Sequence, residues 1–496
     1  MEDIYYSSTR NSETKVRASQ AILKGISEDG GLFIPNEIPK LKCSIEELSK
    51  LDYKETAYTV MSSFLTDFTE EELKNCIEKA YDAKFDTEEI APIKKTKDAY
   101  FLELYHGSTL AFKDMALSIL PHLLKTSARK HNITDKIVIL TATSGDTGKA
   151  ALEGFADVDG TEIIVFFPED GVSQVQRLQM VTQKGANTHV VGIEGNFDDA
   201  QSGVKKIFTD KEFGDKLKKK GYRFSSANSI NIGRLVPQIV YYFYAYGTLC
   251  KKKEIECGEK VNFVVPTGNF GNILAAYFAK NMGLPVNKLI CASNDNKVLF
   301  DFFKTGIYDK DRKFVTTISP SMDILISSNL ERLIYFACGR DAKKVYDLMN
   351  KLSSSGKYEI TNEMKDKLLD FCGGFATEEE TKKAISKMYN ENDYLIDTHT
   401  AVAYSVYERY KYEKNDNTKT IIASTASPYK FTNAVMEAVD DKYTNCDSFE
   451  LMKKMSSLMK SDIPAGIRGI NEREILHKNT CKKDEMKNIV EKFLNL

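Results

Sequence analysis

The feature that most limits the fold is a regular alternation that begins near residue 100. Short runs rich in β-branched and aromatic residues, such as IVILTAT and VNFVVP, alternate with segments of helical periodicity. This pattern predicts an α/β protein with a doubly wound, mostly parallel sheet and helices on both faces. The predicted strands cover residues 101–106, 137–143, 161–167, 188–193, 261–266, 288–293 and 419–425. Because such sheets bind ligands beyond the carboxyl ends of their strands, functional residues are expected in the loops that follow.

The sequence outside this alternation is richer in helical periodicity. Residues 1–92 predict a mostly helical N-terminal domain with one hairpin-like turn at 27–35. Segments near 307–395 and 430–496 predict a helical insertion and a helical tail packed on the sheet. The predicted domains are therefore 1–92, a large α/β domain of 93–130 and 250–496, and a smaller α/β domain of 131–249.

Charge, cysteine content and hydropathy exclude several kinds of protein. With 69 Lys and Arg against 71 Asp and Glu, the formal net charge is −2, so nucleic acid is not expected as the main partner. Nine cysteines without a close C-x-x-C pair predict no metal site and fit reduced thiols in the cytoplasm. The first residues lack the apolar core of a secretory signal, and the longest apolar stretch, 239–250, is too short for a bilayer. No membrane association is therefore expected.

The loop after the first of these strands contains a lysine in an unusual position. Lys113 lies in or just before the first turn of a predicted helix, between Phe112 and Met115. The positive end of the helix dipole would disfavour a cation there by up to about 1 kcal/mol. Burial between apolar neighbours would also favour the neutral amine, which a Schiff-base lysine needs. An ordinary surface lysine remains the alternative interpretation.

Two further loops each combine a strand, small residues and the start of a helix. The SGDTG loop, 144–148, and the TGNFGN loop, 267–272, can both aim backbone N–H groups at an anion. Only the second loop is free of acid, so it is the better cradle for a phosphate, whereas Asp146 would repel one. The residues predicted to hold this phosphate are Gly268, Asn269, Phe270, Gly271 and Asn272. For the first loop, a helix-capping role is equally open.

Two other segments carry single candidate residues. The strand 419–425 ends in Ser424 and Thr425, and a hydroxyl at this position can hydrogen-bond a ring nitrogen without protonating it. An ordinary strand-end hydroxyl is the alternative. The polar segment 225–238, SSANSINIGRLVPQ, contains one guanidinium, that of Arg234.

Taken together, eight segments in chain order resemble the threonine synthase family, a branch of the fold type II pyridoxal-phosphate enzymes. They are SEDGGLFIP, HGSTLAFKD, TSGDTGKAA, SANSINIGRLVPQ, PTGNFGN, SPSMDILISSNLERL, DTHTAVA and STASPYKF. Each segment is a weak signal alone, but the ordered set runs through most of the chain. The resemblance implies two open, mostly parallel sheets, pyridoxal 5'-phosphate as cofactor, and a monomer or homodimer.

The same resemblance implies an activity and roles for single residues. The implied reaction converts O-phospho-L-homoserine and water to L-threonine and phosphate, the last step of threonine biosynthesis. Lys113 would form the Schiff base with the cofactor, the 268–272 loop would hold its phosphate, and Thr425 would face its pyridine nitrogen. The residues implied on the substrate side are Ser144, Gly145, Thr147, Asn231 and Arg234.

One residue departs from the pattern of other fold type II enzymes. Many of these carry Asn in the loop beside the cofactor's ring hydroxyl, where this sequence has Asp146. Either Asp146 accepts a proton from that region or another residue contacts the ring. Two other functions remain open: a phospho-lyase that releases 2-oxobutanoate and ammonia, and a nucleotide-binding regulatory protein in which Lys113 is structural.

Overall fold

The computed structural model describes residues 3–143, 145–170 and 172–496, and within these residues the chain forms four sheets with helices packed around them. The strands are β1 Tyr6–Ser8, β2 Asn11–Val16, β3 Phe33–Pro35, β4 Ile93–Lys95, β5 Tyr100–Glu103, β6 Lys136–Ala142, β7 Thr161–Pro168, β8 Thr188–Glu194, β9 Tyr222–Ser225, β10 Val261–Pro266, β11 Val286–Ser293, β12 Ile307–Asp309, β13 Lys357–Glu359, β14 Phe371–Phe375, β15 Thr420–Ser424 and β16 Asn479–Lys482.

The α-helices connect and cover these strands. They are α1 Ala18–Lys24, α2 Ile45–Leu48, α3 Tyr53–Phe64, α4 Glu70–Ala80, α5 Asp114–Leu117, α6 Leu120–Lys130, α7 Asp146–Phe155, α8 Gln174–Val181, α9 Phe197–Thr209, α10 Lys211–Lys219, α11 Ile232–Lys251, α12 Gly271–Met282, α13 Val298–Thr305, α14 Leu330–Ala337, α15 Ala342–Ser355, α16 Asn362–Asp366, α17 Glu378–Asn392, α18 Thr398–Lys414, α19 Thr432–Val439, α20 Ser448–Met459 and α21 Met486–Leu494. Short 3-10 helices cover Pro320–Met322, Pro428–Phe431, Asp441–Tyr443 and Ile470–Glu472.

The largest sheet has six strands in the order β14-β11-β10-β15-β5-β4. All neighbours are parallel except the edge strand β4, which is antiparallel to β5. The six residues of β10 are all buried, as expected for a strand covered on both faces. Because β10, β15 and β5 are adjacent and parallel, the loops that follow them meet at one edge of the sheet.

The second sheet has five parallel strands in the order β16-β8-β7-β6-β9. The loop after its strand β6 leads into α7, which carries Asp146 in its first turn. Helix α11 packs on α3 and α12. It is buried along nearly its whole length, which explains its hydrophobic sequence. No helix in the described part of the chain is long and apolar enough to cross a membrane.

All seven predicted strands are present, and the two-sheet α/β fold with helices on both faces is confirmed. The N-terminal region is not simply helical, because β1 pairs antiparallel with both β2 and β3 in a small sheet beside α1 to α4. The insertion predicted near 307–395 contains the helices α14 to α17, but it is not helical throughout. This segment contains the hairpin β12 and β13, and β14 at the edge of the large sheet.

The tail also differs from its prediction. Residues 430–496 are not all part of the large domain, because β16 adds to the smaller sheet alongside β8 and α21 packs on α9. The sequence of β16, NTCK, is short and polar, which suits an edge strand and hides it from periodicity analysis. The remaining predicted domain boundaries stay predictions.

Candidate active site

Lys113 lies where the loop after β5 meets the loop after β15. Ala111 and Ala426 form an isolated antiparallel bridge, and the N–H of Phe112 donates to the carbonyl of Thr425 at 2.8 Å. These contacts place Lys113, directly before α5, beside the end of β15. Its side chain is only 13% exposed. The two loops therefore bring the candidate amine and the candidate ring-nitrogen partner together.

The amine of Lys113 faces a hydroxyl and a carboxylate. Nζ donates to Oγ of Ser321 at 3.3 Å and lies 3.7 Å from Oδ2 of Asp146. Burial lowers the pKa of Lys113 below its ordinary value, and Asp146 only partly opposes this effect. Burial therefore shifts Lys113 toward the neutral amine that nucleophilic and proton-transfer chemistry requires.

Asp146 is held by several donors at the start of α7. Its Oδ1 accepts from Nζ of Lys430 at 2.8 Å and from Nε2 of Gln176 at 3.0 Å, and its Oδ2 accepts from Oγ of Ser321 at 3.4 Å. Burial alone would raise the pKa of Asp146. Lys430 and Lys113 outweigh it, so this pKa lies far below its ordinary value. Asp146 is therefore a carboxylate and can only accept hydrogen bonds.

Ser321 is fixed by a histidine on α18. The N–H of Ser321 donates to Nε2 of His399 at 3.1 Å, and Nδ1 of His399 lies 2.8 Å from Oδ2 of Asp397. Because Nε2 accepts, the ring hydrogen is on Nδ1 and is donated to Asp397. The same Asp397 caps α18 through the N–H groups of His399 and Thr400. These contacts tether the segment around Ser321 against Lys113.

The 267–272 loop has the geometry of an anion cradle. Phe270 adopts a left-handed φ of 64° directly before α12. The carbonyl of Gly268 accepts from Oγ of Ser327 at 2.6 Å, and the carbonyl of Asn269 accepts from the backbone N and from Nδ2 of Asn329 at 3.1 and 3.0 Å. These contacts hold the loop in place before α12. Helix geometry leaves the first N–H groups of α12 unpaired, so they remain for a ligand.

Two buried donors near these loops have no hydrogen-bond partner in the described part of the chain. Oδ1 of Asn272 accepts from the hydroxyls of Tyr241 and Tyr242, yet its Nδ2 finds no hydrogen-bond partner among the described residues. Arg234 donates through one terminal nitrogen to the carbonyl of Ala227 at 2.6 Å, and its buried Nε is likewise without a partner there. Buried donors are normally satisfied, so each one points to a missing acceptor such as a phosphate oxygen.

The other residues predicted for the substrate side differ in their surroundings. Gly145, with φ of 136°, starts α7, and a Cβ there would lie 2.6 Å from the side chain of Gln176. Thr147 is half-buried in the first turn of the same helix. Ser144 lies outside the described residues.

Asn231 has a structural role at the start of α11. Its Nδ2 donates to the carbonyls of Ile22 and Ser226 and its Oδ1 accepts from the N–H of Gly233, so its side chain caps α11. Asn231 is also fully buried, and its predicted contact with the substrate stays a prediction.

Four residues of the site were not assigned from sequence: Gln176, Ser321, His399 and Lys430. The last three lie in segments SPSMDILISSNLERL, DTHTAVA and STASPYKF, which carried the resemblance but suggested no chemistry on their own. Lys430 and Thr109, which contact each other, are 321 residues apart in the chain. Only the folded structure brings them together.

The described residues fit pyridoxal phosphate. The cofactor needs an amine for its aldehyde, a cradle for its phosphate and a partner for its ring nitrogen. Lys113, the start of α12 and Thr425, which lie at one sheet edge, would supply these three groups. The unpartnered Nδ2 of Asn272 at the start of α12 is a further donor for a phosphate oxygen. No group of three or more residues suited to holding a metal ion occurs in the described ranges.

Comparison with known families gives matches along most of the chain. The model for the threonine synthase N terminus matches residues 5–81, that for pyridoxal-phosphate dependent enzymes matches 87–425, and that for the threonine synthase C-terminal region matches 400–470.

Two relatives are similar to this chain over most of its length. Human threonine synthase-like 1 is 41% identical over 451 residues, which are 87% of this chain and 60% of that protein. The chain thus spans about three fifths of the length of such relatives. The threonine synthase of Saccharomyces cerevisiae is 36% identical over 492 residues, which are 92% of this chain and 94% of that protein.

Two crystal structures share the whole fold. Pyridoxal-phosphate-bound threonine synthase from Brucella melitensis superposes with a TM-score of 0.86 at 35% identity, and covers 99% of both chains. Threonine synthase from yeast superposes with a TM-score of 0.88 at 33% identity, again over 99% of both chains.

Proposed function

Because the chain belongs to the threonine synthase family of pyridoxal-phosphate-dependent enzymes, we propose that it is a lyase that converts O-phospho-L-homoserine and water to L-threonine and phosphate. The observation that carries this proposal is the pair of unpartnered buried donors, one on Asn272 and one on Arg234. They lie at the starts of two different helices, α12 and α11. Two such sites match a reaction in which both the cofactor and the substrate carry a phosphate.

The chain itself supplies binding and proton transfer. When bound, pyridoxal phosphate supplies the electron sink that stabilises negative charge on the substrate carbons. In its neutral form, Nζ of Lys113 removes the proton from Cα of the substrate and then helps to move one from Cβ. Such proton-transfer groups each contribute roughly 10²- to 10⁴-fold to a rate. Loss of the γ-phosphate, reprotonation at Cγ and addition of water at Cβ complete the reaction.

Arg234 is the cation that we assign to the substrate phosphate. Burial lowers the pKa of Arg234 to about 10, so it remains charged at neutral pH. Its Nε, which has no partner among the described residues, can donate a charge-assisted hydrogen bond to a phosphate oxygen. We further propose that Gly145 and Thr147 at the start of α7 contact the same phosphate. Together these groups would hold the leaving group.

The reaction products distinguish the proposed function from the phospho-lyase alternative. Purified protein with pyridoxal phosphate and O-phospho-L-homoserine is expected to release phosphate and threonine in a one-to-one ratio. Release of 2-oxobutanoate with ammonia in place of threonine would identify a phospho-lyase. A protein without reducible visible absorbance would contradict both and favour a binding protein.

The side chain of Thr425 is expected to tune the reaction through the ring nitrogen. A neutral hydroxyl leaves the pyridine largely unprotonated, which suits elimination. Thr425→Ser should keep most activity, whereas Thr425→Val should lose a hydrogen bond of about 1 kcal/mol and roughly fivefold in kcat. Thr425→Asp should favour the pyridinium by its charge, slow phosphate release further and raise the share of 2-oxo acid. Equal kcat and product ratios in all three variants would show that the hydroxyl does not meet the cofactor.

We also propose a cytoplasmic location and a monomer or homodimer that acts on a small-molecule substrate without nucleic acid. All nine cysteines, each of them within the described ranges, are free thiols, which supports a reducing compartment.

A further inference from the structure

The site contains a second buried lysine that the reaction does not explain. Lys430 lies in the short helix Pro428–Phe431 after β15, and its side chain has no exposed surface. Its Nζ donates to Oδ1 of Asp146 and to the carbonyl of Thr109, both at 2.8 Å. Lysines are almost never fully buried unless they are paired. The full removal of Lys430 from water therefore requires the charge of Asp146.

Asp146 is shared between two amines at unequal distances. Oδ1 lies 2.8 Å from Nζ of Lys430, whereas Oδ2 lies 3.7 Å from Nζ of Lys113. A carboxylate so close to Lys113 would, by itself, stabilise the ammonium form of that amine. The closer lysine opposes this stabilisation, because it neutralises the carboxylate and adds a second positive charge.

We propose that Lys430 is a positioning residue that acts as the counter-ion of Asp146, so that the amine of Lys113 is left free to react. A neutral Asn at position 146 would need no counter-ion, whereas the carboxylate does. The ion pair of Asp146 and Lys430 thus takes the place that a single neutral Asn side chain could fill at position 146. This inference rests on the proposed function for its catalytic meaning, but the state of Lys113 can be measured without any substrate.

Other charged groups near Lys113 do not substitute for Lys430. Arg234 acts in the same direction, since its charge also lowers the pKa of Lys113. Burial raises the pKa of Asp114 to about 6, and its carboxyl oxygens accept from the N–H and hydroxyl of Thr109. His399 faces the backbone of Ser321 with its unprotonated Nε2. Within the described part of the chain, Lys113 forms its ion pair with Asp146 and with none of these three groups.

The test compares Lys430→Met, Asp146→Asn and the double variant in the full-length protein before cofactor is added. A small amine-reactive reagent at neutral pH labels lysines in proportion to their neutral fraction, and mass spectrometry reads the peptide that contains Lys113. Removing Lys430 alone should raise the pKa of Lys113 by about one unit and slow its labelling about tenfold. Asp146→Asn should not slow it, and the double variant should return to near the original rate.

Matched controls separate this role from a structural one. Lys382→Met removes a half-exposed lysine paired with Glu437 and should leave the labelling of Lys113 unchanged. Lys430→Arg keeps the charge and should label nearly as the original protein does. If Lys430 served only to hold the carbonyl of Thr109, the double variant would be as slow as Lys430→Met, and the proposal would be wrong.

The folding behaviour of the variants is also decisive, and circular dichroism and thermal unfolding report it. If Lys430→Met does not fold but the double variant does, the unpaired carboxylate is the cause and the proposal stands. If neither folds, or if Lys430→Met labels at the original rate, the proposal is overturned. None of these results depends on whether the product is threonine or 2-oxobutanoate.

Discussion

Replacing Lys113 with alanine is expected to remove the borohydride-reducible visible absorbance of the enzyme and essentially all turnover. In the proposed function, Nζ of this residue both binds the cofactor covalently and moves protons on the substrate. Loss of the proton-transfer role alone lowers rates by roughly 10²- to 10⁴-fold, and loss of covalent attachment adds to it. Absorbance spectra, and mass spectrometry of the reduced peptide, measure the first effect, and steady-state kcat measures the second.

A lysine outside the site provides the control for this variant. Lys125 on α6 is about half-exposed and pairs with Asp159 at 3.0 Å. Exposed pairs of this kind contribute little to stability, so Lys125→Ala should keep the spectrum and the activity. Substantial steady-state activity in Lys113→Ala would mean that another residue binds the cofactor.

The second large effect is expected from a single methyl group at Gly268. A Cβ at this position would lie 2.4 Å from the backbone carbonyl oxygen of Ser321, and this backbone segment carries the hydroxyl that contacts Lys113. Gly268→Ala must therefore push the cradle and the segment apart. Overpacking of this kind costs about 1–3 kcal/mol, so affinity for pyridoxal phosphate should fall roughly 5- to 100-fold. Equilibrium titration by absorbance measures it.

Variants of Gly271 in the same loop distinguish the effect of packing on cofactor affinity from the effect of charge. A Cβ at Gly271 would lie 3.5 Å from Nδ2 of Asn329, an ordinary contact, so Gly271→Ala should bind the cofactor within about twofold of the original protein. Gly271→Asp should weaken binding sharply, because it adds a carboxylate at the start of α12 beside the phosphate. Gly271→Asn is its neutral control. Equal affinity for the Asp and Asn variants would place the phosphate elsewhere.

Local composition allowed some strands to be predicted and hid others. Strands such as β6 and β10 are runs of buried β-branched residues, so their sequences alone identify them. Strand β14, FCGGF, contains two glycines that weaken strand propensity. At Gly373 a Cβ would lie 3.2 Å from the backbone of Phe300 on α13. The glycine is thus explained by a helix that approaches closely, which no local pattern contains.

In the site, too, residues with a local sequence signal were predictable and residues that depend on distant partners were not. Lys113 and the 268–272 loop were predictable because apolar neighbours, small residues and the start of a helix are adjacent in sequence. Lys430 and Ser321 were not, since each owes its role to a partner far away in the chain. Arg234 and Asn231 are three residues apart and similarly polar, yet the structure leaves Nε of Arg234 unpartnered among the described residues and satisfies the whole side chain of Asn231.

The position of β16 has a consequence for synthesis of the protein. The smaller sheet consists of β6 to β9, all made before residue 226, and one edge strand made more than 250 residues later. Until residues 479–494 leave the ribosome, the backbone of β8 is an open edge and the apolar face that α21 later covers is exposed. Unpaired edges of this kind promote association between chains. The nascent chain should therefore require chaperone protection while more than 250 residues are made. Ribosome profiling of chaperone-bound chains should show binding from β8 onwards that ends only after α21 emerges.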